Sequence, residues 1–443
     1  MTLTENPFLT GNYGPVAEEC TSTHLRVDGV IPPELRGRYL RIGPNPFATP
    51  TGPYHWFVGD GMVHGVELGD GNAAWYRNRW VRTDDIARAM GEEPVGGPMP
   101  PMYDTSNTHV LAHAGRILAL TEGAMPYELS PTLETVRRTD FGGPLPTGFT
   151  AHPKVDPVTG ELLAFAYWFA EPYLTYHQID ATGKLVRSEP ITLPRSVMIH
   201  DFAVTREHVI FFDLPVVFDL ETQPFPFRWD DDSGARVGVM PRAGGDADVR
   251  WFDVDPCYVF HPMNAYDDGD SVVVDVPRHP TMFKRSRTGP NDGGAPTLER
   301  WTIDLGAGKV REERIDERGQ EFPRVNETLL GSRHRFGYAV SVPNTEKAFD
   351  GAFYLKHDFV AGVSQEHDFG PGRTPGEFVF VPGAAATSED DGWLIGYVYD
   401  AAVDRSDFVI LDAHDFTAPA VATVHLPVRV PFGLHGSWIP DAE

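Results

Sequence analysis

The stretch VFHPMNAYDDGDSVVVDV, Val259 to Val276, decides the reading of the fold. Its second half, Ser271 to Val276, is a short β-branched run, and Asp268-Gly269 just before it is a hairpin dipeptide. Its first half carries a histidine, His261, followed by proline, at the point where an irregular stretch gives way to a strand. The same grammar runs outward in both directions. Arg116 to Leu120, Leu162 to Phe169, His208 to Phe212, Gly376 to Val381 and Trp393 to Tyr399 are runs of four to eight residues rich in Val, Ile, Tyr, Phe and Trp, bounded by turn residues. Asp60-Gly61, Asp70-Gly71, Asp350-Gly351 and Asp391-Gly392 read as further hairpin turns.

Glycine (44) and proline (40) are spread over all 443 residues, so they punctuate structure and do not mark a linker. Amphipathic helices are scarce, and Thr83 to Met90 is the best candidate, with Asp84 and Asp85 suited to a helix N-terminus. Roughly twenty-five short strands with no visible boundary predict one all-β domain over residues 1–443. A large sandwich and a propeller are the choices, and a propeller solves the edge problem for so many strands. No overt repeat marks a WD40 or kelch array.

The formal net charge is −26, which argues against a nucleic-acid partner, whose phosphates demand a basic surface. Hydrophobic residues at 41% and charged residues at 23% exclude a disordered chain. Two cysteines, Cys20 and Cys257, cannot build a disulfide framework, so a reducing cytoplasm is expected. The N-terminal MTLTENPFLT has no signal-peptide character, and the longest apolar run, Leu162 to Ala170, falls well short of the ~20 residues a spanning helix needs. A peripheral membrane contact stays open.

Four of the 17 histidines share the setting of His261: His152 in TAHPKVDP, His200 in MIHDFAVT, His261 itself and His435 in FGLHGSW. Their separations of 48, 61 and 174 residues suit equivalent places on separate blades of a seven-bladed propeller, where imidazoles distant in sequence could converge near the axis. Four neutral imidazoles without a carboxylate ligand suit a borderline metal such as Fe(II), Zn or Cu. Core histidines satisfied by backbone carbonyls are the alternative, and spacing alone does not separate the two. His24, His177, His208, His279, His414 and His425 sit beside polar or turn residues and read as surface groups. HExxH and GxSxG are absent, which removes a zincin and a nucleophile elbow.

These histidine segments resemble those of the carotenoid cleavage oxygenases, a family that includes apocarotenoid oxygenases, lignostilbene dioxygenases and the retinoid isomerase of the retinal pigment epithelium. The resemblance extends through IPPELRGRYLRIGPNP (Ile31 to Pro46), HWFVGDGMVHGVEL (His55 to Leu68) and LHGSW (Leu434 to Trp438), over nearly the whole chain. It implies a seven-bladed β-propeller, with Fe(II) held on its axis by His152, His200, His261 and His435 and a dome of loops enclosing an apolar tunnel. It also implies that Glu122 supports His200, Glu321 supports His261 and Glu377 supports His435, each carboxylate fixing its imidazole's tautomer and direction. Thr108 matches a position where several members place a threonine methyl beside the open coordination site; an ordinary strand threonine is the alternative.

The implied chemistry is activation of dioxygen by Fe(II) and its addition across one conjugated C=C bond of an apolar substrate, giving two carbonyl products. No side-chain acid or base is needed, and none is assigned. Members that cleave phenolic stilbenes resemble one another in a lysine just before the first supporting glutamate; this chain has Thr121 there. A carotenoid or apocarotenoid is therefore the expected substrate, with a stilbene or propenyl phenol as the alternative, and Arg88 as a cation that could replace the lysine. Isomerisation and a propeller that binds partners without catalysis are the other readings. The apolar, proline-interrupted stretch Phe211 to Phe227 is either a membrane-contacting mouth of the tunnel or a buried strand pair.

Overall fold

Short β-branched and aromatic runs closed by turns become antiparallel strands, which gather into radial sheets. The computed structural model describes residues 6–98, 104–285, 288–289, 293–342 and 353–441. One sheet orders Thr21–Ser22, Asn72–Trp80, Gly61–Gly69, Gly37–Pro44 and Gly436–Pro440, and is blade 1. Blade 2 runs from His109–His113 through Arg116–Leu120 and Tyr127–Leu129 to Thr135–Arg138. Blade 3 runs from Lys154–Val155 through Leu162–Tyr167 and Leu174–Ile179 to Leu185–Ile191. Blade 4 runs from Ala203–Val204 through His208–Asp213 and Arg236–Pro241 to Arg250–Asp253.

A seven-stranded sheet from Asn264–Asp268 to Val363–Asp368 supplies two blades. Its long strand Lys309–Arg324 pairs with Thr297–Asp304 as far as Gly319, then from Gln320 onward with Phe336–Ser341. Blade 5 therefore ends, and blade 6 begins, within one strand. Blade 7 holds Arg373–Pro382, Gly392–Asp400, Arg405–Asp412, Ala422–His425 and, from the N-terminal region, Arg26–Gly29. The fold is a seven-bladed β-propeller.

Closure is double. The C-terminal strand Gly436–Pro440 pairs with Gly37–Pro44, and Arg26–Gly29 pairs with Ala422–His425, so both ends of the chain are stitched into blades 1 and 7. Neighbouring blades meet through aromatic rings: Phe165 of blade 3 lies 5.0 Å from Phe202, which leads into blade 4, and Tyr39 of blade 1 lies 5.5 Å from Phe408 of blade 7. Truncating a ring as buried as Phe165 to alanine costs about 3–5 kcal/mol. Because sheets are covered on both faces, strands within a blade such as Leu162–Tyr167, the second of blade 3, are buried at every position.

The expected helix forms over Asp84–Ala89, with Thr83 as its side-chain cap and Asp84 and Asp85 in its first turn. No helix among the described residues is long and apolar enough to cross a membrane. Several local expectations are corrected. Asp70-Gly71 and Asp268-Gly269 do lie at tight strand-to-strand turns, Asp70, Gly71 and Gly269 having positive φ. Asp60-Gly61 and Asp391-Gly392, however, stand at strand starts after longer loops, and Asp350-Gly351 lies outside the described residues. His24 and His414 are exposed as expected, whereas His177 and His279 are buried within the propeller. Their partners are not the polar residues beside them in sequence: the Ser188 hydroxyl, on the adjacent strand, meets His177 Nδ1, and Glu321, 42 residues on, meets His279 Nε2.

Candidate metal centre

The inner strand of each blade, or the few residues just ahead of it, supplies the side chains that surround this centre. His435 immediately precedes Gly436–Pro440 of blade 1, and Thr108 precedes His109–His113 of blade 2. His152, His200 and His261 stand two or three residues ahead of the inner strands of blades 3, 4 and 5. Blades 6 and 7 place Glu321 and Glu377 within their inner strands instead.

All four histidines are buried, and one ring nitrogen from each lies within 4.8 Å of the others. The Nε2 atoms of His152 and His200 are 3.0 Å apart, and those of His200 and His261 are 3.2 Å apart. His435 Nε2 is buried with no hydrogen-bond partner. Its ring centroid is 4.6 Å from those of both His152 and His261.

The opposite nitrogens explain what these faces hold. His261 Nδ1 donates to Glu321 Oε2 at 2.6 Å, and His435 Nδ1 donates to Glu377 Oε1 at 2.9 Å. Glu122 Oε1 lies against His200 Nδ1 as an ion pair. A proton held on Nδ1 leaves a lone pair on Nε2, so these Nε2 lone pairs converge on one small space. Lone pairs at such separations repel unless a cation lies between them, and four imidazoles are the donor set for a borderline transition metal. The residues present fit an iron ion. His152 differs from its companions: Asp201 Oδ2 approaches its Nδ1 only to 3.7 Å, while that carboxylate is engaged by Lys154 at 2.8 Å.

Electrostatics separates the histidines further. Burial, then the neighbouring imidazoles, push His152 well below the usual histidine range, and burial pushes His435 down to about 3, despite Glu377. At His200 burial again opposes the charge, but the Glu122 carboxylate outweighs it and raises the imidazole. Burial also opposes ionisation of Glu321 and Glu377, yet their donors hold both carboxyls well below the usual range. For Glu321 these are His261 and His279, and for Glu377 they are Arg324 and His435.

Above the centre lies a cavity of about 360 Å³, whose walls include Phe57, Tyr167, Trp168, Phe218, Phe225 and Phe227. Thr108, Thr121 and Glu122 also line it, and no lysine or arginine does so among the described residues. The Thr108 hydroxyl donates to Asn107 Oδ1 at 2.9 Å, and Thr121 shares the same cluster at 3.3 Å from Thr108. Arg88 is engaged by Asp84 and Asp85 and is not in the wall. The stretch Phe211 to Phe227 divides: Phe211 and Phe212 are core, while Val216–Phe218 and Phe227–Trp229 form a hairpin over the cavity. Phe225 stacks on His55 at 4.6 Å, so the hairpin's phenylalanines face inward, and Leu220 is its exposed apolar residue.

The family is decided by comparison with known proteins. The model of the retinal pigment epithelial membrane protein family matches residues 13–440. The chain belongs to the carotenoid cleavage oxygenase family. A carotenoid cleavage oxygenase of Mycobacterium tuberculosis is 44% identical, with 98% of each chain covered. Among solved structures, the lignostilbene dioxygenase of Pseudomonas brassicacearum has a TM-score of 0.87 at 30% identity, covering 99% of both chains. A cobalt-substituted Synechocystis apocarotenoid oxygenase has a TM-score of 0.87 at 29% identity, covering 98% of both.

Every expected site residue lies at or beside this centre. Three others were missed: Tyr167, His279 and Arg324. Tyr167 donates its hydroxyl to Glu122, His279 Nε2 lies 2.8 Å from Glu321 Oε1, and Arg324 forks both oxygens of Glu377 at 2.9 Å. One signal existed. His279 is followed by proline, as His152 and His261 are.

Proposed function

We propose that this carotenoid cleavage oxygenase holds Fe(II) through the Nε2 atoms of His152, His200, His261 and His435 and cleaves one conjugated C=C bond of a carotenoid or apocarotenoid. Bound Fe(II) would supply the activation of dioxygen, whose two atoms add across that bond to leave two carbonyl products. Glu122, Glu321 and Glu377 hold the imidazoles in their binding tautomer and direction. Thr108, its hydroxyl turned to Asn107, contributes a small apolar group to the cavity beside the centre. The aromatic wall orients a flat polyene and excludes water, and no side chain is assigned as acid or base. Residues 1–443 work as one unit, a reading supported by the double stitching of blades 1 and 7.

The observation that carries this reading is the convergence of four buried imidazoles beneath an aromatic cavity with no cationic side chain in its wall among the described residues. A phenolate has no lysine or arginine to meet there, which favours the polyene over a hydroxystilbene. Leu220, lining the cavity yet 59% exposed, marks its opening and supports a shallow contact with the lipid phase in which such substrates dissolve. The test is product identification by mass spectrometry after Fe(II) reconstitution, under isotope-labelled dioxygen, with an apocarotenal and a 4-hydroxystilbene at equal concentration. Labelled aldehydes or ketones from the apocarotenal are expected. Faster cleavage of the stilbene would overturn the substrate class, and a purified protein without affinity for iron would leave only the binding-module reading.

A further inference from the structure

Tyr167 ends the strand Leu162–Tyr167 of blade 3 and does two things at once. Its ring is part of the cavity wall, 5.9 Å from Phe218 and 6.5 Å from Phe227 of the covering hairpin. Its hydroxyl donates to Glu122 Oε2, and the other oxygen of that carboxylate, Oε1, lies against His200 Nδ1. Burial, reinforced by Glu122, raises this phenol well above its ordinary range, so it is a neutral donor.

The other two supporting carboxylates are tied away from the substrate side. Glu377 is forked by Arg324 and receives the Gly436 N–H, and Glu321 is met by His279 and the Phe322 N–H. Glu122 instead lines the cavity itself. Without Tyr167, one of its oxygens would face aromatic wall, where an unsatisfied acceptor is costly and the carboxylate is free to rotate away from His200. Apart from the histidines, Tyr167 is the one side chain among the described residues that both forms the cavity wall and donates to a supporting carboxylate.

We propose that Tyr167 is a positioning residue that links the substrate wall to the metal site, by holding Glu122 in the orientation that fixes His200. The inference rests on the reading of the four histidines as iron ligands, and it concerns a hydrogen bond one step outside them.

The experiment is Tyr167→Phe in the full-length protein, which keeps the ring in the wall and deletes the donor. Three properties are read: KM and kcat with an apocarotenal, the rate of iron loss to a chelator, and the d–d absorption bands of the Co(II)-loaded protein. We expect KM within about twofold of the parent, with kcat about tenfold lower and iron loss about tenfold faster, the lower end of what losing such an outer contact costs. Shifted Co(II) bands are expected with them. Tyr167→His, which retains a ring and an N–H donor, should restore iron retention towards the parent value. A raised KM with unchanged kcat, iron retention and Co(II) bands would make Tyr167 wall alone and overturn the proposal. So would a Tyr167→Phe protein identical to the parent in every readout. A parent protein that binds neither Fe(II) nor Co(II) would instead overturn the ligand reading on which it rests, so the two failures are distinguishable.

Discussion

His200 with Glu122 stands on the aromatic side of the centre, and His435 with Glu377 stands on the other side, above a second cavity of about 310 Å³ along the propeller axis. The axial cavity is lined by charged groups, Lys154, Asp201, Arg324, Glu327 and Glu377 among them. Both pairs join an imidazole Nδ1 to a buried or half-buried carboxylate, yet the imidazoles shift oppositely: His200 upward, His435 down to about 3. The third partner differs. A neutral phenol leaves the negative charge of Glu122 to act on His200, whereas the Arg324 guanidinium answers that of Glu377 before His435 can benefit. One side of the centre is thus electrostatically closed, and the side that faces substrate keeps a carboxylate with charge in hand.

The largest effect tests whether the two sides share one metal. His261 lines both cavities, and His261→Ala should abolish activity and metal binding beyond the ~10–100-fold typical of losing a supporting carboxylate. Iron content and turnover measure it; a fully loaded, active variant would separate the cavities chemically.

Glu377→Gln and Glu122→Gln should then break the symmetry. Each weakens one imidazole's support, and activity should fall about 10–100-fold in both. Only Glu377→Gln also removes a charge partner from the buried Arg324 guanidinium, which keeps Glu327 and the Gly436 carbonyl, so the loss stays below the about 3–5 kcal/mol of breaking an isolated buried pair. Denaturant unfolding of the metal-free proteins should show that loss for Glu377→Gln and a much smaller one for Glu122→Gln.

A pH series sharpens the contrast. His200 is raised above its unfolded value of about 6.5, so the stability it lends the metal-free protein is full below that pH and fades as pH rises through the folded value. Metal needs the neutral imidazole, so affinity runs the other way and increases with pH across the same window. His435, already neutral, adds nothing there. Up to one proton released per Co(II) bound at neutral pH, measured by calorimetry in buffers of different ionisation enthalpy, is the expected result, and its loss in Glu122→Gln would assign it to His200.

The smallest effect should come from the wall. Phe225→Ala opens the stack on His55 and should raise KM about fivefold, near 1 kcal/mol, while leaving iron affinity unchanged. A fall in iron content instead would tie the hairpin to the centre.

Much of this molecule is legible along the chain because a propeller blade is a local object. Each blade is made mostly of consecutive strands, so Ser271 to Val276 after Asp268-Gly269 announces its own hairpin. The histidine spacings follow the blades, and the long gap of 174 residues between His261 and His435 spans blades 6 and 7, which bring Glu321 and Glu377 to the axis instead. The roles of those glutamates came through family resemblance, since a Glu in EFVF has no local mark of which face it takes. His177 and His279 were misread for a related reason. With sheets covered on both faces, polar sequence neighbours no longer signal solvent.

By itself, then, the amino-acid sequence determined the all-β architecture and singled out four histidines, whose ligand role came through family resemblance, because turn chemistry, strand periodicity and residue type act over a few positions. Only the tertiary structure decided which donor meets each carboxylate: Tyr167 at Glu122, His279 at Glu321, Arg324 at Glu377. Those partners lie up to 53 residues apart and meet because neighbouring blades bring their strands together near the axis. The charge left to each imidazole depends on these meetings, through the distance-dependent Coulomb and hydrogen-bond terms of a water-poor interior, which no short stretch of sequence contains.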